Sequence, residues 1–164
     1  VLIKEIAFPK DRDELLYQLR HDDVTGRMSA AAELRLFKDD PKTFEGLAAS
    51  AQGDPFWAVR RSAVEAIAKI ADTHGPAILK KTALDDHASV RTASLVALGD
   101  LKDRSLVEFF KERFAKDGSD AVRAESLRAI GKAGDRSAIP FLEKCAEVGS
   151  FRNMIATAAK QAMK

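Results

Sequence analysis

Three histidines, each close to an aspartate, are the first residues to weigh for chemistry. His21 precedes Asp22, His74 follows Asp72 by two positions, and His87 follows Asp86. A metal held across three successive turns is one use of such pairs. The spacing argues for a plainer one. The sequence has no His-Glu-x-x-His motif, which a zinc peptidase needs to hold its ion and polarise water, and no His-Glu dipeptide at all. All three pairs fall in predicted turns, where aspartate caps the local backbone and histidine is tolerated. Cys145 is the single cysteine, so no internal disulfide is expected. It stands one helical turn from Phe141 and Leu142 with no base beside it, the pattern of a small buried hydrophobe rather than of a nucleophile. The glycines are scattered at turns and form no phosphate loop, and no serine sits in a Gly-x-Ser-x-Gly elbow. The expectation is a chain with no catalytic residue, no metal site and no cofactor of its own.

What does recur is arginine. Arg27, Arg60, Arg91, Arg123 and Arg152 follow one another at roughly thirty residues, the period of helical repeat arrays. Each follows a turn and opens an Ala/Leu-rich helix. An aspartate stands six positions before the three middle arginines, as Asp54/Arg60, Asp85/Arg91 and Asp117/Arg123. The first repeat brings Asp22 and Asp23 closer to Arg27, and the fifth has Ala146 where the aspartate is expected, so its arginine is expected to lack that partner.

The elements that position these residues are predicted as five helix pairs, at 12–21 and 24–37, 41–52 and 55–72, 76–85 and 88–101, 105–116 and 120–133, and 137–147 and 150–163. Asp11 with Glu14 suits a capping box, Pro41 and Pro55 suit first turns, Gly75-Pro76 separates two pairs, and Ser137 is a candidate N-cap. Connections this short make successive helices antiparallel neighbours. Along the second helices one apolar stripe runs through Val59, Ala63, Ile67 and Ile70, then Val90, Ser94, Leu98 and Leu101, then Val122, Ser126, Ile130 and Ala133. A lone pair cannot bury such a face, whereas stacking on the next pair does. The fold class predicted is an all-α solenoid, a right-handed superhelix. Residues 11–164 are assigned to it. Residues 1–10 are read as a strand or linker from a preceding domain, because Val1–Phe8 is rich in β-formers and a single strand needs a partner. The chain opens on Val1 rather than Met, which suggests a piece of a longer protein. The last helix shows a polar outer face in Asn153, Thr157, Lys160, Gln161 and Lys164, as an end cap should, so the array is expected to close there or nearly so.

The Asp/Arg spacing, the short-turn pairs and the recurring Val-Arg-x-x-(Ala/Ser)-x-x-Ala core resemble the HEAT-repeat family. That resemblance implies that the aspartates and arginines bond between successive repeats as a structural ladder. A narrower one is carried by Leu16-Tyr17-Gln18-Leu19-Arg20, by Asp23-Val24 with Arg27 and Ala30-Ala31, and by Asp54-Pro55-Phe56-Trp57 with Val59-Arg60 and Ala63. These look like the C-terminal helical region of bacterial zinc aminopeptidases of the aminopeptidase-N type. It implies a non-catalytic accessory domain that packs on, or covers, a catalytic domain lying upstream and limits substrate access.

A stand-alone protein-interaction scaffold is the alternative reading. In such solenoids the second helices line the concave side, so Arg61, Glu65 and Lys69, then Thr92, Val96 and Asp100, then Ala124, Arg128 and Lys132, then Asn153, Thr157 and Gln161 are expected there. Trp57, the only tryptophan, joins Arg61, Glu65, Lys69, Arg128 and Lys132 as a candidate partner-binding residue, although packing between repeats is the commoner use of such a residue. The concave positions carry only a mild positive excess. Net charge is +2 with 32% charged residues, too balanced for binding to phosphate backbones by bulk electrostatics, so nucleic acid ranks below protein as a partner. Hydrophobic content of 46% with 7% aromatics suits small-residue helix packing. No run approaches the eighteen or so apolar residues of a membrane span, so no membrane partner is expected. The compartment is left open, with the cytoplasm favoured.

Overall fold

The computed structural model describes residues 11–70 and 73–164. The strand expected at Val1–Phe8 and the aspartate beside His74, Asp72, lie outside those residues. Within them the helices are α1 (Arg12–His21), α2 (Val24–Leu34), α3 (Pro41–Gly53), α4 (Trp57–Ile67), α5 (Gly75–Thr82), α6 (Ala88–Asp100), α7 (Val107–Lys116), α8 (Asp120–Ala133), α9 (Ile139–Ala146) and α10 (Met154–Ala162). Single 3-10 turns at Arg35–Phe37, Arg104–Leu106, Arg136–Ala138 and Phe151–Asn153 join them. This is the all-α solenoid of five helix pairs.

Local chemistry explains where the helices begin. The Asp11 carboxylate accepts the Glu14 N–H at 2.7 Å, and that of Asp23 accepts the Gly26 N–H at 2.8 Å. Asp40 caps α3 ahead of Pro41, whose missing N–H is harmless in a first turn. Elsewhere the structure departs from the sequence reading. Pro55 stands outside α4, because the Asp54 carboxylate accepts the Phe56 N–H at 2.9 Å and makes a turn that leaves Phe56 as the cap. Ser137 is not an N-cap; Asp135 takes that role by accepting the Ser137 N–H at 3.0 Å. Leu101, expected in the buried stripe, is 47% exposed, since α6 ends at Asp100 and Lys102 turns left-handed. The other stripe residues are buried. Ser94 is accommodated because its hydroxyl bonds the Val90 carbonyl at 2.9 Å and the Thr82 hydroxyl at 2.7 Å.

The helices stack in two layers. Each even helix packs on the next even helix, α2 on α4, α4 on α6, α6 on α8 and α8 on α10, while the odd layer is closely packed only from α1 to α5. Tighter packing on the even side places it on the inside of the curve. Small residues allow this close approach. A methyl group added to Gly99 would meet the Ala129 Cα at 3.1 Å, and one added to Gly131 would meet the Ala162 Cα at 2.6 Å.

A chain of charge-assisted bonds ties the repeats together at the turns ahead of the even helices. Arg27 donates through Nε to Asp54 at 2.8 Å, Arg60 to Asp85 at 2.7 Å and Arg91 to Asp117 at 2.7 Å. Nη2 of each reaches the second oxygen of the same carboxylate. Arg60 also touches Asp86. The third donor, Nη1, turns back to its own repeat, to the carbonyls of Asp22, Asp54 and Asp85 at 2.8, 3.0 and 2.9 Å. The six-residue spacing therefore marks a contact to the carbonyl of the aspartate, while its carboxylate serves the arginine one repeat earlier. Each carboxylate also accepts the N–H two residues on, from Phe56, His87 and Ser119. Burial pushes the Asp85 and Asp117 carboxyls up, but the Arg60 and Arg91 guanidinium bonds and these N–H groups outweigh it and hold both below the usual carboxylate range. The same pairing holds the two guanidiniums above their ordinary value.

The ladder stops one step earlier than the sequence spacing suggests. Asp100 and Lys132 meet across thirty-two residues, and Arg128 and Gln161 across thirty-three, at matching positions of successive even helices. The latter step carries Arg123 onto Ala156 and Asp117 onto Ser150. Arg152 is thus not a fifth rung, and Ser150 rather than Ala146 stands in the aspartate position. The reason is local: Arg152 and Asn153 adopt left-handed φ values of 50° and 52°, which delays α10 to Met154. The arginine left without a forward carboxylate is Arg123.

Two predictions test this architecture. Gly131→Ala is expected to destabilise by about 1–3 kcal/mol through overpacking, Gly99→Ala by less, and Gly53→Ala, with open space around it, not at all; thermal melts showing the reverse order would refute the close even-layer approach. Asp85→Ala should cost about 3 kcal/mol, because it strands a buried arginine. Asp85 and Asp117 have folded-state values below their unfolded ones. Their contribution is therefore complete above about pH 4 and lost as pH falls through the depressed values. Urea midpoints measured from neutral to strongly acid pH should fall below pH ~4, with a shallower fall in Asp85→Asn/Asp117→Asn.

Candidate partner-binding groove

The even layer presents a groove of about 560 Å³ between α4 and α6, reaching the start of α8 at Ala121. Its floor is built from Ala68, Ala88, Ala93, Val96 and Ala97, and its rims carry Arg61, Glu65, Lys69 and Asp100. The hollow exists because short alanine side chains leave room between the two helices, and Val96 is its largest apolar side chain. Thr92 lines the same wall, with its hydroxyl donating to the Ala88 carbonyl at 2.9 Å. The expected concave residues Arg61, Glu65, Lys69, Thr92, Val96 and Asp100 thus share one surface.

The rest of the expected set separates from it. Arg128, Lys132 and Gln161 line a second hollow of about 320 Å³ between α8 and α10. The ion pair of Lys132 Nζ with Asp100 at 2.8 Å stands on the ridge between the two hollows. Ala124 is fully buried and does not reach the surface, because α8 turns that position into the repeat interface. Asn153 and Thr157 line neither hollow.

Pairing takes up three of the four expected cations. Arg61 donates to Glu65 at 2.7 Å, Arg128 to Glu125 at 3.0 Å, and Lys132 to Asp100. Glu125 was not foreseen as a partner, since its position in α8 reads as part of the buried face and it is only 8% exposed. Cations neutralised one by one do not form a track for successive phosphates.

Trp57 lies outside both hollows. Its ring stacks on the imidazole of His87 with centroids 4.1 Å apart and planes within 6°. It is half-buried against the core, so it connects the second repeat to the third. Each histidine lies beside an aromatic ring of its own neighbourhood: His21 by Tyr17 at 4.6 Å, His74 by Phe44 at 6.1 Å, and His87 by Trp57. No cluster of three metal-ligating side chains occurs among the described residues. Cys145 is buried, and burial pushes its thiol above the usual range while Arg123 pulls weakly the other way. No helix among the described residues is long and apolar enough to cross a membrane.

Comparison with known proteins agrees with the fold. A family model described as HEAT repeats matches residues 12–99 and 76–164. No curated protein matches the sequence. Among solved structures, the chain is similar to one in the complex of CpcE and CpcF of phycocyanin lyase from Nostoc sp. PCC7120, with a TM-score of 0.66 and 22% identity. The match covers 98% of this chain and 66% of that one, so this chain spans just under two thirds of its neighbour's length. At that identity the likeness is one of fold.

His87→Ala should shift the emission of Trp57 to longer wavelength and destabilise the fold by about 0.5–1.5 kcal/mol. An unchanged emission spectrum would show that the stacked pair does not hold the indole in place.

Proposed function

Because the chain belongs to the HEAT-repeat family, we propose that it works as a protein-binding scaffold whose partner seats in the groove between α4 and α6. The observation that carries this reading is the groove itself, an apolar floor of alanines and Val96 between charged rims. A solenoid offers such a concave surface without spending core residues on it, since each repeat is already closed by its neighbours. The alanine floor fits a segment that approaches closely with small or medium apolar side chains, while Arg61, Glu65, Lys69 and Asp100 orient polar groups along its edges. The solved neighbour, a complex of two proteins, supports a protein as the partner. The lyase activity belongs to that complex and does not transfer at 22% identity. The accessory-domain reading, a cover for a zinc aminopeptidase, draws no support from the family model or from the solved neighbour. A scaffold accounts for the same surface with fewer assumptions.

The test is a photo-crosslinking residue placed at Val96, with one at exposed Glu143 on α9 as control. The expected result is a protein crosslinked from position 96 alone, whose capture is lost in Ala93→Arg while the melting temperature is retained. Crosslinks to nucleic acid, or equal capture from both positions, would overturn the reading.

A further inference from the structure

The fourth rung of the ladder is open. In the first three rungs, Nε and Nη2 of the arginine grip the aspartate of the next repeat, and Nη1 holds a carbonyl of its own repeat. Arg123 meets no such carboxylate, because Ser150 stands in the aspartate position and its hydroxyl accepts the Ile155 N–H at 2.9 Å. The guanidinium has turned instead. Nε donates to the Phe114 carbonyl at 3.2 Å, and the group lies over the Phe114 ring at 4.7 Å. Nη1 reaches Asp120, its own helix neighbour, at 3.4 Å, a single long contact. Nη2 has no acceptor among the described residues. Asp120 is shared, since its other oxygen accepts the Phe151 N–H at 3.1 Å.

The loop that should close this rung is unusual in two further ways. Arg152 and Asn153 are consecutive left-handed non-glycine residues, a conformation that is costly and that collects at binding sites. Phe151 is 67% exposed, with the Arg152 guanidinium 5.2 Å from its ring. Arg123, held by a carbonyl, a ring and one long contact, and the exposed Phe151 beside it therefore stand where the three sister rungs hold a carboxylate.

We propose that this slot between the fourth and fifth repeats binds an aspartate or glutamate side chain of a partner protein, which completes the rung on Arg123 while its apolar neighbours pack on Phe151. The site is at the turn edge of the solenoid and does not depend on the groove between α4 and α6. A bidentate Arg–carboxylate contact is among the stronger polar contacts available, and the arginine is already partly desolvated, at 25% side-chain exposure.

The experiment follows the arginine Nε–H signals by NMR as blocked tripeptides are added to the whole chain. The probes are N-acetyl-Leu-Asp-Leu-amide, the same peptide with asparagine, and N-acetyl-Leu-Leu-Leu with a free carboxyl terminus. A saturable shift of the Arg123 signal with the aspartate peptide is expected, with little response at Arg60 and Arg91, whose slots are filled. Ser150→Asp should abolish that shift by supplying the carboxylate from within, and should raise the melting temperature by about 2–4 °C. Equal shifts with the asparagine peptide, equal movement at all three arginines, or a stronger response to the free terminus would each overturn the proposal. So would a Ser150→Asp protein that folds and still responds.

Discussion

The solenoid depends on one interaction that runs in one direction, from the arginine of each of the first three repeats to the aspartate of the next. The guanidinium is planar and offers donors on three sides, so one side chain can clamp a carboxylate ahead of it and a carbonyl behind it. The aspartate also forms the turn that starts its own even helix. Helix start, turn shape and repeat spacing are therefore set by the same two residues. Removing either would leave the other desolvated and unmatched, which is why these pairs matter more than the exposed ion pairs elsewhere on the surface.

The ladder fixes the even helices at one end, and small residues let them close up along their length. Gly99 against Ala129 and Gly131 against Ala162 leave no room for a side chain. The odd layer is closely packed only from α1 to α5, and α7 carries larger residues such as Phe110 and Phe114. The even layer is thus concave, and the alanine-floored groove between α4 and α6 follows from how the repeats pack rather than from any residue dedicated to binding. The charged rims are held by pairs within and between helices, so they shape the groove without giving it a strong field.

At the fifth repeat the same design loosens. Without a forward carboxylate, Arg123 stacks on Phe114, which meets Phe141 edge-on at 5.7 Å, and Lys111 lies 5.6 Å from the Phe141 ring. Cation–π contacts and one long contact to Asp120 stand in for the two-pronged grip on a forward carboxylate, and cation–π contacts are weaker when exposed. Close helix packing of α8 on α10 carries the junction instead.

Helix pairs, most of the buried stripe and the Asp/Arg spacing were legible in the sequence, because helical periodicity and turn chemistry are local and repeat five times. The errors fell where a local choice depended on a neighbour. Pro55 looked like a helix start until Asp54 took the turn. Arg152 looked like a rung because spacing in sequence cannot register two left-handed residues that shift α10. Trp57, a candidate for a partner as well as for packing, stacks on His87, and Arg128 and Lys132, expected on one concave surface with Arg61, pair with Glu125 and Asp100 beside a separate hollow. By itself, then, the sequence determined the repeat, the helix faces and the residues that join repeats, since these rest on contacts a few residues apart or on one repeating interval. Only the tertiary structure decided which repeat each aspartate serves, which cations stay free and where the groove lies, because those depend on distances between helices that no spacing along the chain records.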